Sequence, residues 1–460
     1  MQTESAALRE FRSRFCGAKI DVIGVGVSHL PLLDMLLSVG AVLTARDRSP
    51  RGKFGEEAAR SLEEKGIRTV FGPGYLDGID GETVFRSPGV RPDVPQLARA
   101  REEGRKVICE TDLFLELCPY KTIGITGSNG KTTTSTLTAA FLEASGKKVF
   151  LGGNIGRPLL PRLGEMSEAD FAVIELSSFQ LTGAEHSPAV AVITNLSPNH
   201  LDWHVDMDEY IEAKKAIFRN PENRRLVLNF RDPLTRALAE EASQREVEWF
   251  ASDALHGGYY AENGVLFHNG EKLFSRGDIL LRGDHNVENV LAALAATKDF
   301  ADPEKARDFV RGFRGVEHRL EFVREKDGVT YINSSIDSSP SRTEAALSVF
   351  SDRVIVICGG YDKHIPFSPL GRPLCEKARV LILTGQTAPK IREAVLSCPE
   401  FDPEKTEIVD ASDLSDAVKI ASEKAKKGEV VLLSPASASF DAFRNFEERG
   451  RFFKEAVFRL

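Results

Sequence analysis

Short apolar runs, each followed by a longer stretch with helical spacing, recur along the chain and predict three successive α/β segments. The first begins at Ile20, where IDVIGVGV reads as a strand, LPLLDMLLSVG as a helix and AVLTARD as the next strand, the opening of a doubly wound unit; it spans residues 1–112. A second strand set opens with TIGIT after Pro119 and runs through a glycine-rich turn into a threonine- and alanine-rich helix from Thr132 to about Ala144. That segment, 113–316, continues through FAVIEL, AVAVITNL and the helix HNVENVLAALAAT. The third, 317–460, carries the apolar strands RVIVICGG, RVLILTG and EVVLLSP between helical or loop stretches, which implies a mainly parallel sheet.

The junction of TIGIT with its helix holds the sharpest chemical signal. Gly127, Ser128, Asn129, Gly130, Lys131, Thr132 and Thr133 lie where backbone N–H groups and the helix N-terminus can cradle phosphate oxygens. Lys131 would neutralise those oxygens and Thr132 would ligate magnesium. The strict phosphate-loop pattern wants a glycine where Ile125 stands, so this is a variant form. The turn Gly24-Val25-Gly26-Val27-Ser28-His29 starts like a dinucleotide fingerprint, but His29 occupies the third glycine's place, which disfavours a nicotinamide cofactor. Asp47, ending the next strand, could accept a hydrogen bond from a ribose or base.

Further candidates sit at predicted strand ends. Glu175 closes FAVIEL and His200 follows AVAVITNL, both at the edge where parallel sheets present side chains to ligands. Each is a candidate metal ligand, although an isolated carboxylate there is more often solvated and a lone loop histidine more often structural. Lys214 and Lys215 lie on the helix DEYIEAKKAIF, where surface exposure is the ordinary expectation.

Composition narrows the class. Among 460 residues, 68 acidic against 60 basic side chains give a charge of −8, and no basic stripe suggests a nucleic-acid partner. No apolar run reaches the roughly 18 residues of a membrane span, and the N-terminus lacks a secretory pattern, so a cytoplasmic protein is expected. The six cysteines form no CxxC pair and are expected to be reduced.

Taken together, these residues make the chain resemble the Mur ligase family over essentially its whole length. The resemblance is carried by SPGV (87–90), TGSNGKTT (126–133), GGNIG (152–156), ELSSFQL (175–181), NHLD (199–202), HNVEN (285–289), EHRLE (317–321) and LSPASASFDAFRNFEERG (433–450). It implies an α/β fold of three domains: a Rossmann-like N-terminal domain for the UDP-linked substrate, a central ATPase domain around the phosphate loop, and a Rossmann-like C-terminal domain for the amino acid. The SSFQL and FDAFRNFEERG stretches favour the member that adds D-glutamate to UDP-N-acetylmuramoyl-L-alanine in peptidoglycan precursor synthesis, and the full N-terminal segment argues against folylpolyglutamate synthase.

By the same resemblance, Lys131 and Thr132 hold the ATP phosphates and magnesium, and Glu175 and His200 complete two magnesium sites. Lys214 matches a lysine that the family carbamylates. Asn289 matches an adenine contact and Arg319 an arginine near the phosphates. Val27, Ser28, Asp47, Arg48, Ser87, Pro88 and Gly89 match the UDP region, with Asn154 near the muramoyl-alanine. Ser338, Lys363, Ser439 and Phe446 match positions around D-glutamate. The chain departs from the pattern at Ser334-Ser335-Ile336, where many members read Asp-Ser-Lys, at Asn199 for a common Asp, and at Ser437 for a common Cys. Asp337 and Arg342 are the nearby charged residues that could stand in. A monomer is expected, with hinges near 111–119 and 314–318 letting the third domain close. A Mur-type ligase with another acceptor amino acid, and a nucleotide-binding regulator without catalysis, share most of these motifs.

Overall fold

The computed structural model describes residues 5–26, 28–118, 121–201, 203–242, 244–281, 283–362 and 366–460. The chain divides into two compact units, Met1–Phe313 and Arg314–Leu460. Three sheets form the framework, two of them in the first unit.

The first sheet has five parallel strands in the order Arg68–Phe71, Val42–Asp47, Lys19–Ile23, Thr83–Arg86, Lys106–Ile108. Strand order reverses beside Lys19–Ile23, so the turns after Ile23 and after Arg86 face each other across the crevice where such sheets bind ligands. Phe11, Leu32, Leu33 and Leu36 cover this sheet's faces from neighbouring helices.

In the second sheet, Val190–Ile193, Lys121–Thr126, Phe171–Glu175 and Val149–Gly153 lie side by side and parallel. Every residue of Phe171–Glu175 is buried, as a parallel strand covered on both faces requires. Helix Lys131–Ala144 packs over the sheet against Asp284–Ala296, whose buried Ala292, Ala293, Ala295 and Ala296 let the two approach closely. At the far edge stand three antiparallel strands, Tyr259–Glu262, Val265–His268 and Glu271–Ser275, which the apolar pattern does not predict. Their turns are Asn263-Gly264 and Asn269-Gly270, all four residues with φ between 49° and 87°, the left-handed pairs that suit two-residue hairpins.

One apolar cluster runs from Phe11 and Leu33 through Leu113 and Phe114 into Leu160, Ile174 and Ile217. The hinge expected at 111–119 therefore meets, through Leu117, the buried helix Glu110–Leu117, whose side chains join the first two sheets in a shared core. Loss of that core would expose too much apolar surface for a free joint.

The second unit holds a six-stranded sheet: Glu321–Lys326 pairs antiparallel with Val329–Asn333, and Val430–Leu433, Val354–Gly359, Ala378–Thr384 and Glu407–Asp410 follow in parallel. The α/β class with three sheets is as expected.

Candidate active site

The phosphate loop hangs between two strand ends. Ser128 N donates to Asn195 O (2.8 Å), Asn129 N donates to Asn195 Oδ1 (2.9 Å), and Thr194 Oγ1 donates to Asn129 O (2.6 Å), so the loop after one strand is fastened by the segment after its neighbour. Gly130 has φ +81°, and a Cβ there would run into Asn289 Oδ1. Asn289 is thus packed on the loop itself, its Oδ1 also accepting from Thr134 Oγ1 at 3.2 Å. Helix Lys131–Ala144 starts with no side-chain cap, and its N-terminus lies at the loop mouth. Thr132 is buried and Thr133 half-buried on its first turn.

Lys131 Nζ donates to Gly127 O (2.9 Å) and Ser128 O (3.0 Å). Lys214 Nζ reaches the same Gly127 carbonyl (2.9 Å) and Thr126 Oγ1 (3.1 Å), and lies 4.7 Å from the Tyr210 ring centroid. Far from being a surface lysine, Lys214 is 1 % exposed. Burial first, and then the like charge of Lys131, push its pKa well below the ordinary lysine value, with Glu175 pulling the other way. The result favours an uncharged amine.

Glu175 is equally buried. Its Oε1 accepts from Asn154 Nδ2 at 2.7 Å, while Oε2 has no hydrogen-bond partner among the described residues. A buried carboxylate oxygen left unpaired suits a cation, and the adjoining phosphate loop suits the phosphates that would complete its shell. His200 has φ +57° and is exposed, its ring centroid 4.9 Å from that of Phe179. Among the described residues, His, Cys, Asp and Glu nowhere gather three together as a metal cluster. The buried Glu175 oxygen beside a phosphate loop fits magnesium, which takes few protein ligands and relies on phosphate and water.

At the first sheet's crevice the Gly24 and Ser87 turns touch, since a Cβ on Gly24 would lie 2.6 Å from Ser87 Cβ. Asp47 spends both oxygens on this turn region, accepting from Val25 N (3.0 Å) and Ser49 N (2.8 Å). Ser28 and Arg48 are exposed beside it, and Val27 lies outside the described residues. His29, where a fingerprint would have glycine, is buried and donates from Nδ1 to Gly24 O (2.8 Å); burial lowers its pKa to about 4, so it packs as a neutral ring. Pro88 O accepts from Arg86, and Gly89 O accepts from Trp203 Nε1 (3.1 Å). Asn154, expected near the muramoyl-alanine, is committed to Glu175.

In the second unit, Ser439 is buried and caps a turn, its carbonyl accepting from Phe443 N at 2.8 Å. Phe446 opens the helix Phe446–Arg459, its carbonyl taking the Ser335 hydroxyl at 2.8 Å. Ser338 is half-buried, Arg319 is exposed, and Lys363 lies outside the described residues. Arg342, on Pro340–Leu347, donates to Ile336 O at 3.0 Å.

Two family descriptions match the chain: the Mur ligase middle domain over residues 125–297 and the Mur ligase glutamate ligase domain over 318–437. The chain belongs to the Mur ligase family. Among its relatives, a UDP-N-acetylmuramoylalanine--D-glutamate ligase of Acetivibrio thermocellus is 46% identical over 458 residues, 98% of both chains. One of Clostridium novyi is 44% identical over 98% of this chain and 99% of its own. A UDP-N-acetylmuramate-alanine ligase structure from Thermotoga maritima shares the fold, with a TM-score of 0.54 at 22% identity, covering 96% of this chain and 99% of that one. So does a pseudomurein peptide ligase type C from Methanothermus fervidus, with a TM-score of 0.53 at 19% identity and the same coverage.

In this Mur ligase, residues that the motifs leave unmarked also pack around the site. Tyr210 is buried between Lys214 and the phosphate loop, its hydroxyl 2.9 Å from Ser128 Oγ. Arg86 is buried and donates to Val90 O (3.1 Å), Phe179 O (3.3 Å) and Thr182 O, bridging the SPGV turn to the helix after Glu175. His204 Nε2 lies 2.9 Å from Ser178 Oγ, and burial lowers its pKa. The spacing of Tyr210 and Lys214, one helical turn apart, is the available signal that they share a face.

Proposed function

We propose that this Mur ligase joins D-glutamate to UDP-N-acetylmuramoyl-L-alanine with hydrolysis of ATP, in peptidoglycan precursor synthesis in the cytoplasm. The observation that carries the reaction class lies at the phosphate loop: buried Lys214 and half-buried Lys131 share the Gly127 carbonyl, with the buried Glu175 carboxylate as their acidic counterpart. The acceptor rests on the full-length relatives at 43–46% identity.

A carboxylate resists attack by an amine because its charge repels nucleophiles and its oxygens leave poorly. Transfer of the γ-phosphoryl group from ATP to that carboxylate makes an acyl phosphate; the D-glutamate nitrogen then bonds to the acyl carbon and phosphate departs with the electron pair. Lys131, the amides at the start of its helix, and Arg319 would bind and orient the phosphates, which is most of what phosphoryl transfer asks of a protein. Thr132, Glu175 and His200 would hold magnesium at two sites, where it would neutralise phosphate oxygens. Asn289 would meet the adenine.

An uncharged Lys214 can add through its nitrogen lone pair to carbon dioxide, releasing a proton and leaving a carbamate. That anion would turn its repulsion with Lys131 into attraction. The Gly24 and Ser87 turns, with Ser28, Asp47 and Arg48, would take the UDP group, and Ser338, Ser439 and Phe446 with Lys363 the amino acid. We assign these tasks to 1–112, 113–316 and 317–460, in a monomer.

Competition between labelled D-glutamate, L-lysine and diaminopimelate for incorporation into UDP-N-acetylmuramoyl-L-alanine tests the acceptor. Label from D-glutamate alone is expected; incorporation of either other amino acid in its place would keep the mechanism and overturn the acceptor.

A further inference from the structure

Within the second unit, one buried arginine ties together the segments that carry the candidate amino-acid residues. Arg449 lies on the first turn of helix Phe446–Arg459 and is 4 % exposed. One edge of its guanidinium takes both oxygens of Ser335, Nε donating to Oγ (3.0 Å) and Nη2 to the carbonyl (2.9 Å), while Nη1 donates to Ala438 O (3.0 Å). The Ser335 hydroxyl spends its own proton on Phe446 O at 2.8 Å. Ala438 O also accepts from Tyr361 N (2.9 Å), and a Cβ on Gly360 would run into that carbonyl, so these two loops lie in direct contact. The segments that follow Asn333, Gly359 and Leu433, the ends of three neighbouring parallel strands, therefore meet at one side chain.

We propose that Arg449 is a positioning residue for the amino acid that the ligase adds: it sets Ser439 through the Ala438 carbonyl and Phe446 through the Ser335 hydroxyl. This rests on Ser439 and Phe446 surrounding D-glutamate in the reading above. Ser439 follows Ala438 directly, and its own carbonyl accepts from Ala442 N (3.1 Å) and Phe443 N (2.8 Å), so its turn is fixed on both sides. Phe446 follows the helix cap Asn445, and its ring meets that of His318 edge-on with centroids 6.0 Å apart. A planar guanidinium presents its donors as a rigid fork, so three bonds from it hold the two residues at a set separation. A lysine ammonium keeps the charge and loses the fork.

All three acceptors are neutral oxygens, and burial lowers the guanidinium pKa to about 10, against the pull of Asp441 and Asp337. The group thus keeps its charge at neutral pH. A buried cation on neutral oxygens costs stability that an apolar side chain of similar volume would not. What the fork supplies is fixed geometry on the amino-acid side, where a misplacement of about 1 Å can slow a reaction a hundredfold.

The test uses the full chain, comparing Arg449→Lys, Ser335→Ala and the two combined by kcat, by the KM of D-glutamate, ATP and the UDP substrate, and by Tm. We expect Arg449→Lys to raise the D-glutamate KM about tenfold and Ser335→Ala about threefold, with the other two KM values unchanged. Because the lysine no longer takes both Ser335 oxygens, the pair should handle D-glutamate no worse than Arg449→Lys alone. A role confined to stability would lower Tm and the amount of active enzyme and leave every KM in place, which would overturn the proposal while leaving the acceptor reading intact. A parallel rise in all three KM values, or losses that multiply in the pair, would do the same. Wild-type turnover that does not need D-glutamate would overturn the acceptor reading and the proposal with it. Ser335→Ala removes one hydroxyl and leaves the guanidinium on two carbonyls, so it decides the matter even should Arg449→Lys fail to fold.

Discussion

Glu175 is held on one oxygen by Asn154 and has no hydrogen-bond partner on the other among the described residues. Glu175→Gln keeps the volume and the Asn154 contact but removes the charge. We expect kcat to fall about a hundredfold, the scale of losing one electrostatic contact to transferring phosphate, and the magnesium midpoint to rise, with Tm unchanged or higher because an unpaired buried charge is gone. An enzyme at full rate in low magnesium would remove Glu175 from the metal site. At Lys214, 13C NMR in labelled bicarbonate should show a carbamate resonance that is absent from Lys214→Ala, and a short added carboxylate should restore part of that variant's activity. The phosphate-loop residues were legible because they are contiguous and their conformational needs are written in glycine and lysine. Tyr210 and Ser128 were not, being brought together across 82 positions of sequence. Asp337 was legible only as a charge near a departure from the pattern; its hydroxyl partner Ser434 lies 97 positions further along the chain.

At the level of elements, strand and helix alternation was readable wherever parallel strands gave continuous apolar runs. The antiparallel edge Tyr259–Ser275 was missed because its strands are only four or five residues long and the outer two are largely half-buried or exposed, although its two Asn-Gly pairs were signal enough for hairpins. The helix Glu110–Leu117 looked like a joint and is a buried brace. Its Glu110 accepts from Leu160 N at 3.0 Å, and burial raises its pKa to about 7. The folded chain thus holds a proton there more tightly than the unfolded one, a contribution to stability present below the ordinary glutamate range and lost as pH rises through about 7. Glu110→Gln, which keeps the acceptor and abolishes the charge, should raise Tm at pH 8 and leave it nearly unchanged at pH 4. A lower Tm at pH 8 would show that the ionised carboxylate is needed.

For the whole molecule, Glu175, Asp47 and the Ser87 turn all stand at or just after the carboxyl ends of parallel strands, the edge at which such sheets bind ligands. That placement was legible from strand order alone, since a parallel strand announces where its ligand side lies. The shared core of the first two sheets was not, because burial between helices and sheets is decided by tertiary packing. No described helix is long and apolar enough to cross a membrane.

The most direct test of the account is phosphate release from ATP and magnesium by the purified chain, with UDP-N-acetylmuramoyl-L-alanine and D-glutamate supplied separately and then together. Sustained release only when both are present is the result predicted. Release that ignores either co-substrate, or none with both, would contradict it.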